Sequence, residues 1–310
     1  MRETHPYNLI VLLGPTASGK TKLAAQLAYD LGSEIISGDS RQVYRGMDLG
    51  TGKDLEEFTV EGKKIPYHLI DIIDPTEDFS VYDYQRLFYK CFQEIASRGI
   101  IPILVGGSGL YIDCVLRGYQ MPKAPINGNL RMELEKLDLV ELRNRLLSVK
   151  TALHNTTDLL DRERIIRAIE IALAPENEEL SRPYLNPFVV GVRWKRDVLR
   201  QRITERLKKR LEAGMVEEVE NLHKKGLSFE RLKYFGLEYR FIALYLEGQL
   251  TYKEMFEQLK TKIHQFAKRQ ETWFRRMERL GVKIHWLDEP RYEELRALVF
   301  KALYGNTSYC

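Results

Sequence analysis

The residues best suited to chemistry lie close to the start of the chain. Gly14-Pro15-Thr16-Ala17-Ser18-Gly19-Lys20-Thr21 fits the pattern G-x-x-x-x-G-K-[ST], with a strand-like run before it and a helical run after it. Glycines at these positions let backbone N–H groups turn inward around phosphate oxygens, and the helix start behind them adds partial positive charge. Lys20 supplies a point charge and Thr21 a hydroxyl for Mg²⁺. Residues 14–21 are therefore expected to bind a di- or triphosphate, although such a cradle does not say what the phosphate is attached to. A second candidate is Asp39-Ser40-Arg41-Gln42, at the end of a short apolar run. A carboxylate at that edge of a parallel strand faces the ligand crevice of an open α/β sheet. Asp39 can there accept a proton from a nucleophile, and Gln42 carries an amide suited to an adenine edge. A helix-capping Asp39 and a plain surface amide at Gln42 are the alternatives.

Strands and helices must alternate for these groups to converge, and the pattern says that they do. Asn8–Leu13, Glu34–Ser37, Tyr67–Ile73 and Ile100–Val105 read as strands, the last running into Gly106-Gly107. Lys20–Leu31 and Val81–Arg98 read as helices between them. The fold class expected is α/β, a P-loop NTPase-like parallel sheet covered by helices. After Gly118 the character changes. Gln120–Leu130, with Pro122, Pro125 and Gly128, reads as a loop. Leu130–Lys150 and Asp161–Ala174 read as helices, and Pro175–Pro187 as a polar loop. Phe188–Val192 returns to strand, and helices dominate from Asp197. Leu199, Ile203, Leu207 and Leu211 step by four, as do Met255, Leu259 and Ile263, with Phe266 and Ala267 continuing that face. Lys283–Leu287 suits an edge strand. The expected organisation is a core of residues 1–118 and 188–290, a small all-helical insertion at 119–187, and a C-terminal tail at 291–310.

Of 310 residues, 44% are hydrophobic and 30% charged, a normal balance for a soluble globular protein. Ile100–Val105 and Phe241–Leu246 are too short to span a bilayer. Arg2, Glu3 and His5 precede the first apolar run, unlike a secretory leader. Cys91, Cys114 and Cys310 are too scattered for a disulfide scaffold or a cysteine zinc site. A cytoplasmic protein is expected. Its net charge of +4 conceals a division: Arg193–Lys283 holds 23 Lys and Arg against 13 Asp and Glu, leaving 25 basic and 31 acidic residues elsewhere. That excess suits either a polyanionic partner such as nucleic acid or a set of well-solvated helices.

Several segments, in order from residue 8 to about 288, together resemble the tRNA dimethylallyltransferase (tRNA isopentenyltransferase) family. They are Gly14–Thr21, Asp39–Gln42, Tyr67-His68-Leu69-Ile70-Asp71 with Asp74-Pro75, and Val105–Tyr111, where Ser108 replaces the usual Thr. Arg164-Ile165-Ile166-Arg167-Ala168-Ile169-Glu170 and Ala267–Gln270 with Thr272–Arg275 complete the set. The resemblance, to the bacterial type, implies transfer of a dimethylallyl group from its diphosphate to the N6 amine of an adenine. That adenine lies immediately 3′ of the anticodon, in tRNAs reading codons that begin with U.

The resemblance also implies roles for individual residues. The phosphate loop would hold the leaving pyrophosphate. Asp39 would take the amine proton while Gln42 holds a base flipped out of the anticodon loop. Thr16 would sit near the bridging oxygen, with Lys20, Thr21 and Mg²⁺ neutralising charge and Arg206 reaching the diphosphate from the other side. Arg202, Arg206 and Arg210 share one helical face, so a solvated stripe is the alternative for Arg206. Contacts to the tRNA anticodon stem-loop would come from Asp39, Ser40, Arg41, Gln42, Ser108, Arg131, Glu163, Arg164, Ile165, Ile166 and Arg167. Lys268, Arg269 and Arg275 would touch phosphates. Trp273 and Phe274 read as core. Glu163 replaces a usual Gln, Phe235-Gly236-Leu237-Glu238-Tyr239-Arg240 departs from the family pattern, and so does Ile263-His264. No membrane contact is expected, and the protein is expected to be a monomer. Prenylation of free AMP, a small-metabolite kinase and a non-catalytic RNA binder are the competing functions.

Overall fold

The computed structural model describes residues 6–120, 123–124, 127–149, 159, 161–174 and 181–305. Parts of the two expected loops at 120–130 and 175–187, Lys150, His154 and Cys310 lie outside the described residues. In chain order, β1 (Leu9–Leu13), α1 (Lys20–Leu31) and β2 (Ile35–Ser37) come first. A 3₁₀ turn (Leu55–Phe58), the small antiparallel pair β3 (Thr59–Val60) and β4 (Lys63–Lys64), and β5 (Tyr67–His68) follow. Next are α2 (Val81–Ser97), β6 (Ile103–Gly106), α3 (Gly109–Arg117), α4 (Gly128–Leu134), α5 (Leu139–Val149) and α6 (Arg162–Ala172). The chain returns through β7 (Pro187–Arg193) to α7 (Arg196–Glu212), α8 (Met215–Lys224), α9 (Phe229–Tyr234), α10 (Leu237–Leu246) and α11 (Tyr252–Arg279). It closes with β8 (Ile284–Asp288) and α12 (Tyr292–Tyr304).

Among the described residues the main sheet has six strands in the order β5-β2-β6-β1-β7-β8, each pair parallel. All five residues of β1 are buried, as a central strand covered on both faces requires. The parallel arrangement brings the C-terminal ends of β1, β2 and β6 to one edge, so Gly14, Gly38 and Gly106 are neighbours there. A β-carbon on Gly106 would lie 2.4 Å from the Gly38 carbonyl oxygen, so only glycine admits that approach. One apolar core lies around the sheet, α1 and α12. A second joins α7, α8, α10 and α11, with Leu199, Ile203, Leu207, Met255, Leu259 and Ile263 buried in it as their spacing predicts.

The chain divides into two compact units, residues 1–118 with 182–310, and residues 119–181. The smaller unit buries Leu134, Leu142, Leu146, Ile165, Ile166 and Ile169 in a core of its own. Four details differ from the sequence reading. The expected strand Tyr67–Ile73 stops after His68, because Leu69 and Asp71 have φ of 62° and 55°. The single helix expected over Leu130–Lys150 is two. Asp138 starts the second by accepting the Val140 and Glu141 N–H groups, both at 2.8 Å. The expected tail contains α12, whose Leu295, Val299 and Leu303 are buried and whose Tyr292 hydroxyl donates to Asp30 of α1 at 2.6 Å. Finally, residues 182–187 belong with the sheet: Arg182 donates to the Leu116 carbonyl at 2.7 Å, and Asn186 N–H to Asn8 Oδ1 at 2.7 Å. No helix among the described residues is long and apolar enough to cross a membrane.

Candidate active site

The phosphate loop runs from the buried end of β1 into α1. Ala17 and Gly19 take φ of 61° and 85°, which turns the intervening backbone around a hollow. Trp194 and Arg202 clasp the loop from outside. The Trp194 indole N–H donates to Ser18 O at 3.0 Å, Arg202 Nε donates to Ala17 O at 2.9 Å, and the guanidinium stacks 4.5 Å from the Trp194 ring. Lys20 Nζ folds back to Pro15 O at 3.3 Å. Burial, and then the Arg206 guanidinium, push the Lys20 ammonium down to about 8, against the opposing pull of Asp39, Glu57 and Asp54. An anion placed in the hollow would push it back up.

Asp39 follows β2 directly. Its Oδ1 accepts the Arg41 N–H at 2.8 Å and the Gln42 N–H at 3.4 Å, which fixes the carboxylate on the cavity wall. Gln42 has both ends of its amide engaged: Ser37 Oγ donates to Oε1 at 3.1 Å, and Nε2 donates to Gly52 O at 3.0 Å. One N–H remains for a base edge, while the side chain ties β2 to the 48–54 loop. Ser108 Oγ accepts the Ser40 N–H at 3.2 Å, joining the two loops that flank the cavity.

A buried residue missed as a functional candidate joins two other loops. Gln270 of α11 accepts the Thr16 N–H at 2.9 Å and donates to Gly107 O at 2.9 Å. Its Nε2 would stand 2.5 Å from a β-carbon on Gly107. Its signal in the sequence is its place in the segment Ala267–Gln270, next to Lys268 and Arg269. The 48–54 loop is held by Glu218 of α8, whose carboxylate accepts the N–H groups of Asp48, Leu49 and Gly50 at 2.9, 2.7 and 3.0 Å.

These loops enclose a cavity of about 290 Å³. Thr16, Lys20, Thr21, Asp39, Gln42 and Ser108 line it, together with Arg206 and Arg210 of α7. Arg206 Nη1 donates to Thr16 Oγ1 at 3.3 Å, so its side chain faces the loop rather than solvent. Phe58, Phe235, Leu237 and Phe266 supply an apolar lining. Phe266, expected in the α11 core, is 36% exposed and opens onto this cavity instead. Among the described residues no three or more His, Cys, Asp or Glu side chains gather as a metal cage. The wall nonetheless fits Mg²⁺ in the manner usual for phosphate sites, where one hydroxyl, here Thr21, and the phosphate itself supply ligands.

The remaining predicted contacts lie elsewhere. In the helical unit, Glu170 is buried and receives Arg131 at 2.8 and 3.2 Å, Arg167 at 3.0 Å and the Asn127 N–H at 3.1 Å. Arg131 and Arg167 thus spend much of their charge inside the unit. Ile165 and Ile166, expected among the tRNA contacts, are 0% and 1% exposed. They are core residues, because a helix with one buried face must turn its isoleucines inward. Glu163 and Arg164 are exposed. Lys268, Arg269 and Arg275 are all exposed on α11. Phe274 is buried core, as expected, and Trp273 packs against Gly109.

A parallel α/β sheet, a phosphate loop at its C-terminal edge, and a carboxylate and two arginines sharing one cavity define a P-loop-like fold with the site of a group-transfer enzyme. A family profile described as IPP transferase matches residues 42–277. The chain is 57% identical over 303 residues to tRNA dimethylallyltransferase 1 of Syntrophus aciditrophicus, covering 96% of this chain and 98% of the relative. The solved full-length tRNA isopentenylpyrophosphate transferase of Bacillus halodurans superposes with a TM-score of 0.70 at 34% identity, over 96% of both chains. A eukaryotic dimethylallyltransferase acting on tRNA shares the fold, with a TM-score of 0.75 at 24% identity over 94% of this chain and 78% of its own. The chain belongs to the IPP transferase family.

Proposed function

We propose that this protein transfers the dimethylallyl group of dimethylallyl diphosphate to the N6 amine of the adenine immediately 3′ of the anticodon, in tRNAs reading codons that begin with U. The observation that carries the reading is the convergence of Asp39, the phosphate loop and Arg206 on one cavity with an apolar lining. As the adenine nitrogen bonds to the allylic carbon, the carbon–oxygen bond to the diphosphate breaks. The nitrogen's proton passes to the Asp39 carboxylate, which its backbone N–H donors hold in place. The diphosphate leaves into the hollow of residues 14–21, where Lys20 and Arg206 meet the charge that develops on it, and Thr16 Oγ1 stands beside Arg206 at the bridging oxygen. Mg²⁺ held by Thr21 adds charge neutralisation when bound. Phe58, Phe235, Leu237 and Phe266 offer the hydrocarbon an apolar surface.

Tyr67–Asp71, part of the family resemblance, serves the scaffold: Asp71 pairs with the buried Lys53, and His68 lies 2.7 Å from Glu34. Contact with the tRNA anticodon stem-loop is assigned to the exposed Lys268, Arg269 and Arg275, with Glu163 and Arg164 of the helical unit. On this reading the protein works in the cytoplasm as a monomer. Incubation with radiolabelled dimethylallyl diphosphate and either bulk tRNA, AMP or ATP tests it. Label is expected in tRNA; label only in AMP, or in neither nucleotide nor RNA, rejects it.

A further inference from the structure

Resting on the function just proposed, the geometry points to Asp54 and Arg210 as a positioning couple that aims Arg206 at the leaving diphosphate. Asp54 stands at the head of the 3₁₀ turn Leu55–Phe58, where an aspartate ordinarily caps the first N–H groups with its carboxylate. Its side chain makes no such bond. It turns instead toward two arginines that line the cavity, pairing with Arg206 Nη2, while Arg210 Nη2 donates to both of its oxygens at 3.4 Å. The backbone accepts an unusual conformation to do so, with φ 44° and ψ 53°.

Two guanidiniums one helical turn apart, beside the Lys20 ammonium, would repel and swing toward solvent if nothing stood between them. The Asp54 carboxylate supplies that intervening charge. Burial and the neighbouring Arg206 push the Arg210 guanidinium below its ordinary value, while Asp54 and Glu238 oppose them. Gly52 completes the device. A β-carbon there would lie 1.8 Å from Arg210 Nη2, so the guanidinium rests where only a glycine leaves space. Its φ of 66° disfavours a side chain as well. The outcome is a braced Arg206 that touches Gly52 O at 3.4 Å and Thr16 Oγ1 at 3.3 Å, at the point where charge develops. Asp54 and Arg210 act on the reaction through Arg206.

A double-mutant cycle on the full chain tests this, using inorganic pyrophosphate binding by calorimetry and dimethylallyl transfer to an anticodon stem-loop RNA. D54N and R210Q are each expected to weaken pyrophosphate binding and raise the KM for the prenyl donor about tenfold, leaving RNA affinity unchanged. In an R206Q background, D54N is expected to add less than about a twofold loss, since the residue acts through the arginine already removed. D54E, which keeps the charge, should recover part of the affinity. G52A should reproduce the D54N phenotype with every polar atom left in place. Thermal unfolding identifies any variant that has lost its fold, and the cycle is then read from the others. Equal losses from D54N with and without Arg206 would overturn the couple, and so would tighter pyrophosphate binding by D54N, which would make Asp54 a competitor of the ligand. If the unaltered protein binds pyrophosphate but prenylates no RNA, the proposed function fails while the cycle still decides the couple. If it binds no pyrophosphate, both fall.

Discussion

Asp39 shows how a single carboxylate becomes useful by being held. Two backbone N–H groups fix Oδ1, so the side chain faces the cavity without a search among rotamers. Asp39→Ala is expected to lower kcat for transfer by about 10²- to 10⁴-fold, the usual worth of a general base, with folding and pyrophosphate binding retained. Steady-state kinetics beside a thermal melt check this, and near-normal turnover would remove Asp39 from the mechanism. Gln270 works differently, by hydrogen-bonding two loops that no strand connects directly. Gln270→Ala leaves the Thr16 N–H and the Gly107 carbonyl without these partners, at roughly 1–3 kcal/mol for each group that stays buried and unpaired. Chemical denaturation should therefore register a loss of about 2–6 kcal/mol, accompanied by weaker pyrophosphate binding because the phosphate loop is no longer braced. Asp39 was legible in the sequence because its type and its place after a strand announce chemistry. Gln270 was not, because an amide in a basic helix announces nothing until its neighbours are known.

At the scale of elements, α6 holds the small helical unit together through both of its sides. Its isoleucines fill the core, and Glu170 draws Arg131, Arg167 and the start of α4 inward. Burial alone would raise the Glu170 carboxyl, but hydrogen bonds from Arg131, Arg167 and the Asn127 N–H outweigh it and hold it below the usual carboxylate range. A carboxyl depressed in the folded state stabilises the protein above its unfolded value. That contribution is lost as pH falls through the folded value. The unit should therefore soften in acid, below about pH 4.5. Glu170→Gln should cost about 2–4 kcal/mol at neutral pH and remove part of the acid dependence. Hydrogen exchange of α4 and α6 amides at pH 7 and pH 4 measures both effects, and unchanged exchange in the variant would show that the ion cluster adds nothing. Periodicity predicted α6 closely: the helix expected over Asp161–Ala174 spans Arg162–Ala172, with Asp161 as its cap. It overran at β5, where two residues with positive φ end a run whose composition alone reads as strand. It merged α4 and α5 because an amphipathic stripe does not reveal a capping aspartate in its middle.

For the whole molecule, the distribution of charge matters more than its sum. The basic stretch Arg193–Lys283 is not uniformly available to a partner: Arg202 clasps the phosphate loop from outside and Arg206 and Arg210 line the cavity, whereas Lys268, Arg269 and Arg275 face solvent. Replacing the three exposed residues by Gln is expected to weaken tRNA binding and flatten its dependence on salt by about two units of slope, leaving pyrophosphate affinity unchanged. Filter binding across a salt series beside calorimetry tests the division, and an equal fall in both affinities would contradict it. The phosphate loop, the parallel α/β class, the family resemblance and the basic stretch are legible along the chain, because each is written in local residue types and short spacings. Packing in three dimensions sets which arginines are spent internally, that Ile165 and Ile166 are core, that residues 292–304 form a packed helix, and that Asp54, Arg206 and Arg210 meet. The last of these depends on side chains more than 150 positions apart in the chain arriving within hydrogen-bonding distance. Local pattern carries no record of such an encounter; packing alone creates it.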